Sequence, residues 1–393
     1  MVTEQQKALI VLIKSALTSQ ACALPKNFDL TEVFEIAKRH GVDVMAYYGA
    51  LLCGVSKNTD PMREEIMRVY QGISISETQL TEIRRIMNAF EAHGIIHMPL
   101  KGVLLKKLYP CSEMRRMGDA DILIDCAQYE TIRSIMNELG YTEKYESDHE
   151  FAWKKKPVNI EFHKRLIPSY NKDYYQYYGD GWKLATLMDG CSFRYKMNAC
   201  DEMVYLFTHF SKHYRDAGIG IRHIVDLWVY RKHNPHMDEQ YVRRELQKLQ
   251  LLEFYDNIMH TLSVWFEDCT GDEKTEFITQ VIFSSGEYGR ADYSTLSRAL
   301  KSTKSGKSAQ AVKQKHVLRA LFPGYTEMSR RYKVLKKLPV LLPIMWVVRI
   351  FGKLFKKEKV RHFITHRLDF DDNRVFEYQR SLNYVGLDFN FSE

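Results

Sequence analysis

Two carboxylates, Asp119 and Asp121, lead into the apolar run Ile122-Leu123-Ile124. That run is short enough for a buried strand, and on a strand residues two apart project from the same face. Both acids therefore point the same way, close enough to repel each other unless a divalent cation neutralises them. Upstream, Met98-Pro-Leu-Lys-Gly102 opens a helix expected over 102–108, and the bare backbone at Gly102 lets a phosphate approach the helix start. Val158-Asn-Ile-Glu-Phe-His163 reads as a second strand, with Ile160 and Phe162 on one face and Glu161 and His163 on the other. Paired beside the first strand, it would bring Glu161 to the two aspartates. Clustered acids that hold magnesium beside a phosphate-binding helix start point to nucleotidyl transfer. For Asp-x-Asp taken alone, a solvated strand edge is the plainer explanation.

These residues need a scaffold, and the pattern along the chain supplies one. Up to position 82 the periodicity is helical: apolar residues three to four apart over 28–40, a cap at Asn27 or Asp29, and a stop at Gly41. From 83 to 195 helices alternate with strands. Strands are expected at 95–98, 120–124, 143–145, 151–154 and 158–163, and helices at 83–93, 102–108 and 128–139. The segment 170–178 is tyrosine-rich and reads as a loop, in which the rings either stack on a base or fill a seam between domains. After Asp201 the chain is helical again, with a bundle over 202–214, 219–232, 238–251 and 252–266. The expected class is α+β. It comprises an N-terminal helical segment (1–82), a small mixed-sheet core (83–195) and a C-terminal helical domain with a basic tail (196–393).

Several of these stretches resemble a known family. "LKGVLLKKLYP", "RRMGDADILID", "IEFHKRL", "HFSKHYRDAGIGIRHIVDL" and "RRYKVLKKLPVLLPIMWVVRIF" are similar to a bacterial family of uncharacterised nucleotidyltransferases, within the superfamily of DNA polymerase β-like folds. The resemblance implies a magnesium-dependent enzyme that moves a nucleoside monophosphate from a nucleoside triphosphate, ATP first by abundance, and releases pyrophosphate. Asp119, Asp121 and Glu161 would be the catalytic acids and would hold two Mg2+ ions. Lys101, Gly102 and Arg115 would meet the triphosphate. His209, His213, Arg222 and Asp226 fit the family pattern of the bundle, where they either line the nucleotide cleft or join two helices as a buried polar network. One departure from the superfamily matters: Val103 follows Gly102 where a serine is usual, so Lys101 or Ser112 is left to supply the phosphate contact. The acceptor expected is a small molecule or a protein. A tRNA-modifying or toxin-like enzyme is one alternative, with RNA as acceptor, and a non-catalytic nucleotide-binding scaffold is another.

Composition sets further bounds. The 393 residues are 45% hydrophobic and 27% charged, ordinary for a globular protein. Cys22, Cys53, Cys111, Cys126, Cys191, Cys200 and Cys269 are scattered, odd in number and without Cys-x-x-Cys. This argues against a disulfide framework and a structural zinc site, and favours the cytosol. The net charge of +8 is mild for a dedicated nucleic-acid binder. His209 and His213 share a helix face, but Phe210 stands where a zinc protease carries glutamate. Gly306-Lys307-Ser308 imitates the end of a P-loop, yet position 301 is lysine rather than glycine and no strand precedes it. The apolar run 338–348 is broken by Pro339 and Pro343 and is too short to span a bilayer. It reads as packing against the bundle, or, given the lysines around it, as an interfacial membrane helix.

Overall fold

The computed structural model describes residues 2–287, 289–304, 322–354 and 372–388. The chain forms two compact units: residues 1–213, 219–288 and 385–393 make the first, and 214–218 and 289–384 the second. The class is α+β, as the sequence pattern indicates.

Four helices open the first unit: α1 (Glu4–Thr18), α2 (Leu30–Arg39), α3 (Asp43–Leu52) and α4 (Asp60–Ala92). A capping box between Thr3 and Gln6 starts α1, and Asp29 caps α2 by accepting from the Thr31 amide. Helices α1 and α3 approach so closely that a Cβ on Gly49 would lie 1.9 Å from Leu12 O, so only glycine fits there. Helix α4 runs through positions 82 and 83 without a break, because no stop signal intervenes before Gly94 at φ +69°.

The central sheet has the order β1-β2-β5-β4-β3, with β1 His97–Pro99, β2 Ala120–Ile124, β3 Thr142–Glu146, β4 Glu150–Lys155 and β5 Val158–His163. Only β2 and β5 pair in parallel; the other neighbours are antiparallel. Between β1 and β2 lie the short helix α5 (Gly102–Leu105) and a 3₁₀ turn at Lys106–Leu108. Helix α6 (Tyr129–Glu138) links β2 to β3. One face of the sheet carries Ile122, Ile124, Ile160 and Phe162 against Ile83, Ile86, Met87 and Phe90 of α4 and Ile132, Ile135 and Met136 of α6. Burial of each such side chain contributes roughly 1.5–3 kcal/mol. The opposite face is left for chemistry.

The tyrosine-rich stretch is not a loop. It forms helix α7 (Lys172–Tyr178), because Tyr174 and Tyr178, four apart, are both buried. The Tyr178 hydroxyl meets Thr208 Oγ1 at 2.8 Å, and the Tyr177 hydroxyl donates to Glu245 at 2.8 Å. These rings pack a seam, and base stacking loses Tyr174 and Tyr178. A small ribbon of β6 (Ala185–Leu187) and β7 (Tyr195–Met197), not anticipated from the pattern, leads into α8 (Ala199–Asp216). Helices α9 (Ile221–His233), α10 (Glu239–Lys248) and α11 (Leu252–Phe266) follow at the expected places, and a further helix, α12 (Glu273–Ser285), extends the bundle beyond the expected end.

In the second unit, α13 (Ala291–Lys304) packs with the Asp372–Tyr384 helix, and Asp216 accepts from Lys301 Nζ at 2.9 Å and from Ser297 Oγ at 3.0 Å. The polar stretch expected as a linker begins within α13, and its Gly306-Lys307-Ser308 lies outside the described residues. The apolar run expected to pack forms a 3₁₀ turn at Pro339–Leu341 and the Leu342–Leu354 helix. Leu338, Val340, Ile344, Val347 and Val348 nevertheless face outward, because the inward side is taken by other residues of the segment, Arg349 among them. No helix among the described residues is long and apolar enough to cross a membrane.

Candidate active site

Strand alternation decides what reaches the open face. On β2, Ala120, Ile122 and Ile124 enter the helix-covered core, so Asp121 points the other way. On β5, Ile160 and Phe162 do the same, which turns Glu161 and His163 to the open face. The parallel register sets Asp121 opposite Glu161 and Leu123 opposite His163. Donor atoms of Asp121, Glu161 and His163 all lie within 4.8 Å of one another. Asp119, one residue before β2, stands exposed at the rim beside Glu161.

Asp121 is the hub. Its Oδ1 accepts from Lys101 Nζ at 3.1 Å and lies 2.6 Å from His163 Nε2. A proton on Nε2 leaves His163 Nδ1 as a buried lone pair without a hydrogen-bond partner. Lys101 is delivered by a backbone at φ +42° and ψ −111°, a left-handed conformation that a non-glycine residue adopts only under strain. Behind it, the Leu100 amide donates to Asp121 O at 3.0 Å, which ties the loop to the strand. The Tyr145 hydroxyl reaches both Glu150 at 2.9 Å and Glu161 at 3.3 Å.

The protonation states follow from burial and charge. Burial alone would raise the Asp121 carboxyl, but Lys101 and then His163 hold it well below the usual range. Burial would lower Lys101, and Asp121 overrides it so that the ammonium is kept. Glu161 is pushed up to about 8, first by burial and then by Asp119, Glu150 and Asp121. Asp119, although solvent reaches it at the rim, is raised by the desolvating protein mass behind it and then by Asp121. His163 is lowered by burial and by Lys101, so its imidazole is neutral. The site therefore carries more carboxylate than Lys101 can neutralise, and this crowding of like charge favours the protonated form of Glu161.

Other candidate residues are engaged elsewhere. Arg115 is buried and grips Asp226 of α9, with Nε to Oδ1 at 2.7 Å and Nη2 to Oδ2 at 2.8 Å; the Tyr109 hydroxyl donates to the same Oδ1 at 2.7 Å. Gly102 makes room for this arginine, since a Cβ there would lie 2.9 Å from Arg115 Nη1. Ser112 turns to Ser76 of α4 at 2.7 Å. Arg222 donates to Arg116 O at 2.7 Å and lies 3.6 Å from Glu287, while its charge offsets a small part of the rise at Asp119. His209 and His213 meet at 3.1 Å on α8. Burial, and then the charge of Lys101, hold His209 well below its usual range. His163 is the residue that the acid pattern alone did not single out, although its place two after Glu161 put it on the same strand face.

Residues 26–267 match the model of a family described as uncharacterised nucleotidyltransferase. The chain belongs to that family. The matched span contains every site residue described above. No curated protein matches the chain in sequence. Among solved structures, that of the antibiotic-resistance factor ANT(2'')-Ia aligns with 48% of this chain and 99% of its own, at 12% identity and a TM-score of 0.34. As a nucleotidyltransferase, the protein takes a nucleoside triphosphate as substrate.

Proposed function

We propose that this nucleotidyltransferase moves a nucleoside monophosphate, with ATP the first candidate donor, to a hydroxyl of a small molecule or protein. The pairing of Asp121 with Glu161 across parallel strands carries this reading. The donor set fits a divalent cation: two carboxylates and a neutral imidazole converge, Asp119 adds a third acid at the rim, and His163 Nδ1 offers an unused lone pair. Magnesium is the first candidate and two ions the expected number. Such a cation, when bound, supplies positive charge to the triphosphate and to the attacking and leaving oxygens.

The remaining work falls to the chain. Lys101 holds Asp121 ionised before substrate arrives and stands within reach of an incoming phosphate. Glu161, ionised once cation binds, accepts the proton of the acceptor hydroxyl. The acceptor oxygen bonds to the α-phosphorus, the bond to the bridging oxygen of the β-phosphate breaks, and pyrophosphate leaves. Tyr145 restrains Glu161 during that transfer. Screening α-labelled nucleotides against lysate split into RNA, protein and metabolites identifies the acceptor. Labelling should fall on metabolite or protein and vanish in Asp119→Asn, Asp121→Asn. Undiminished labelling in that variant removes the acids from the mechanism, and label on RNA shifts the reading to a tRNA-modifying enzyme.

A further inference from the structure

We propose that the second unit attaches this protein to anionic lipid surfaces through the segment around the Leu342–Leu354 helix. Ile344, Val347 and Val348 recur at the spacing of one helical stripe, and with Leu338 and Val340 just before the helix they are between 49% and 79% exposed. A helix on a soluble surface turns its apolar stripe inward; here the apolar stripe faces out while Arg349 is buried. An outward apolar stripe of this kind marks an interaction site.

Charge indicates which surface. Between Met328 and Lys357 the sequence holds nine Lys or Arg residues and no Asp or Glu. Lys333, Lys336 and Lys337 are exposed immediately before the stripe. A second copy docking here would set this cationic segment against itself, and like charges across an interface oppose association. An anionic bilayer accepts both features at once: the apolar side chains enter the boundary between headgroups and acyl chains, and the lysines meet lipid phosphates. No helix among the described residues is long and apolar enough to span, so the stripe is placed in the interface. Apolar burial and a basic cluster together supply the two signals that stable, reversible attachment takes.

Co-sedimentation of the full chain with vesicles tests this. Vesicles of phosphatidylcholine with 30% phosphatidylglycerol should retain the protein, and pure phosphatidylcholine should bind it at least about tenfold more weakly. Lys336→Ala with Lys337→Ala should weaken binding about 30-fold, at about fivefold per lysine near an anionic surface. Ile344→Ser with Val348→Ser should weaken it by at least about tenfold. Val340→Ser, at the most exposed position and outside the helix, should act in the same direction if the double variant unfolds. An unchanged thermal melt certifies the fold of each variant. Absence of sedimentation by the parent chain, or retention unaffected by either set, overturns the proposal. So does a concentration-dependent dimer that Ile344→Ser, Val348→Ser dissolves while vesicles are ignored, or capture of an acidic protein in place of lipid.

Discussion

Lys101 and Asp121 meet at 3.1 Å, both largely buried, with the lysine presented from a strained left-handed backbone. The ammonium and His163 Nε2 both meet the same oxygen, Asp121 Oδ1, so the charge of Asp121 is balanced before any substrate enters. Removing the lysine should therefore expose the charge surplus. Lys101→Met is expected to lose about 3–5 kcal/mol of stability in chelator, as a buried acid loses its partner. Magnesium should restore more of that loss than it adds to the parent protein. Urea unfolding with and without magnesium reads both numbers; equal responses to magnesium would separate Lys101 from the cation site.

His163 offers a second handle. It orients Asp121 through Nε2, and an orienting partner of a cation-binding carboxylate is worth about 10–100-fold in affinity, so His163→Ala should weaken Mn2+ binding by that order. Titration followed by electron paramagnetic resonance measures this without turnover. Unchanged affinity would confine the histidine to propping the sheet.

Arg115 and Asp226 tie the strand region to α9 through two charge-assisted hydrogen bonds. Arg115→Met should cost about 3–5 kcal/mol, because it strands a buried carboxylate. Arg115→Met with Asp226→Leu should recover much of it. Denaturant unfolding of the three variants decides. A triphosphate-binding arginine would instead raise the dissociation constant for ATP and leave stability unchanged.

How far these features can be read from the sequence differs residue by residue. The faces of β2 and β5 are legible because alternation is local: Asp121, Glu161 and His163 declare their side by the apolar residues between them. That β2 and β5 are neighbours is not local, since a parallel pair joins segments separated by β3 and β4. Arg115 illustrates the same limit. The family resemblance implies a triphosphate contact for it, whereas its partner in the fold, Asp226, lies 111 residues away and only the fold brings it near. The Lys172–Tyr178 helix was hidden because aromatic residues favour helix weakly, and burial of Tyr174 and Tyr178 overrode propensity.

His40 makes stability depend on pH. Its Nε2 lies 3.2 Å from Phe283 O and its Nδ1 accepts from the Ile221 amide at 3.3 Å, so both nitrogens are used in the neutral form. Burial, and then the charge of Arg39, lowers it from 6.5 to about 4. The unfolded chain thus takes up the proton first as pH falls. Stability from this group is complete above about 6.5, declines below it and is lost by about 4. Between pH 7.5 and pH 5 the loss amounts to about 2 kcal/mol. His40→Gln, which cannot titrate, should show a correspondingly shallower decline in urea midpoints. An identical decline would assign the effect to other groups.

The most direct test of nucleotidyl transfer at this site compares ATP labelled at the α-phosphate with ATP labelled at the γ-phosphate, in parallel reactions with magnesium and the acceptor fraction. The proposed mechanism requires the α label to join the acceptor and the γ label to leave in pyrophosphate, one for one. Asp121→Asn should reduce both signals by at least about a thousandfold, the order lost when charge stabilisation of the transition state is removed. Transfer of the γ label to the acceptor, or pyrophosphate release that survives in Asp121→Asn, would contradict it.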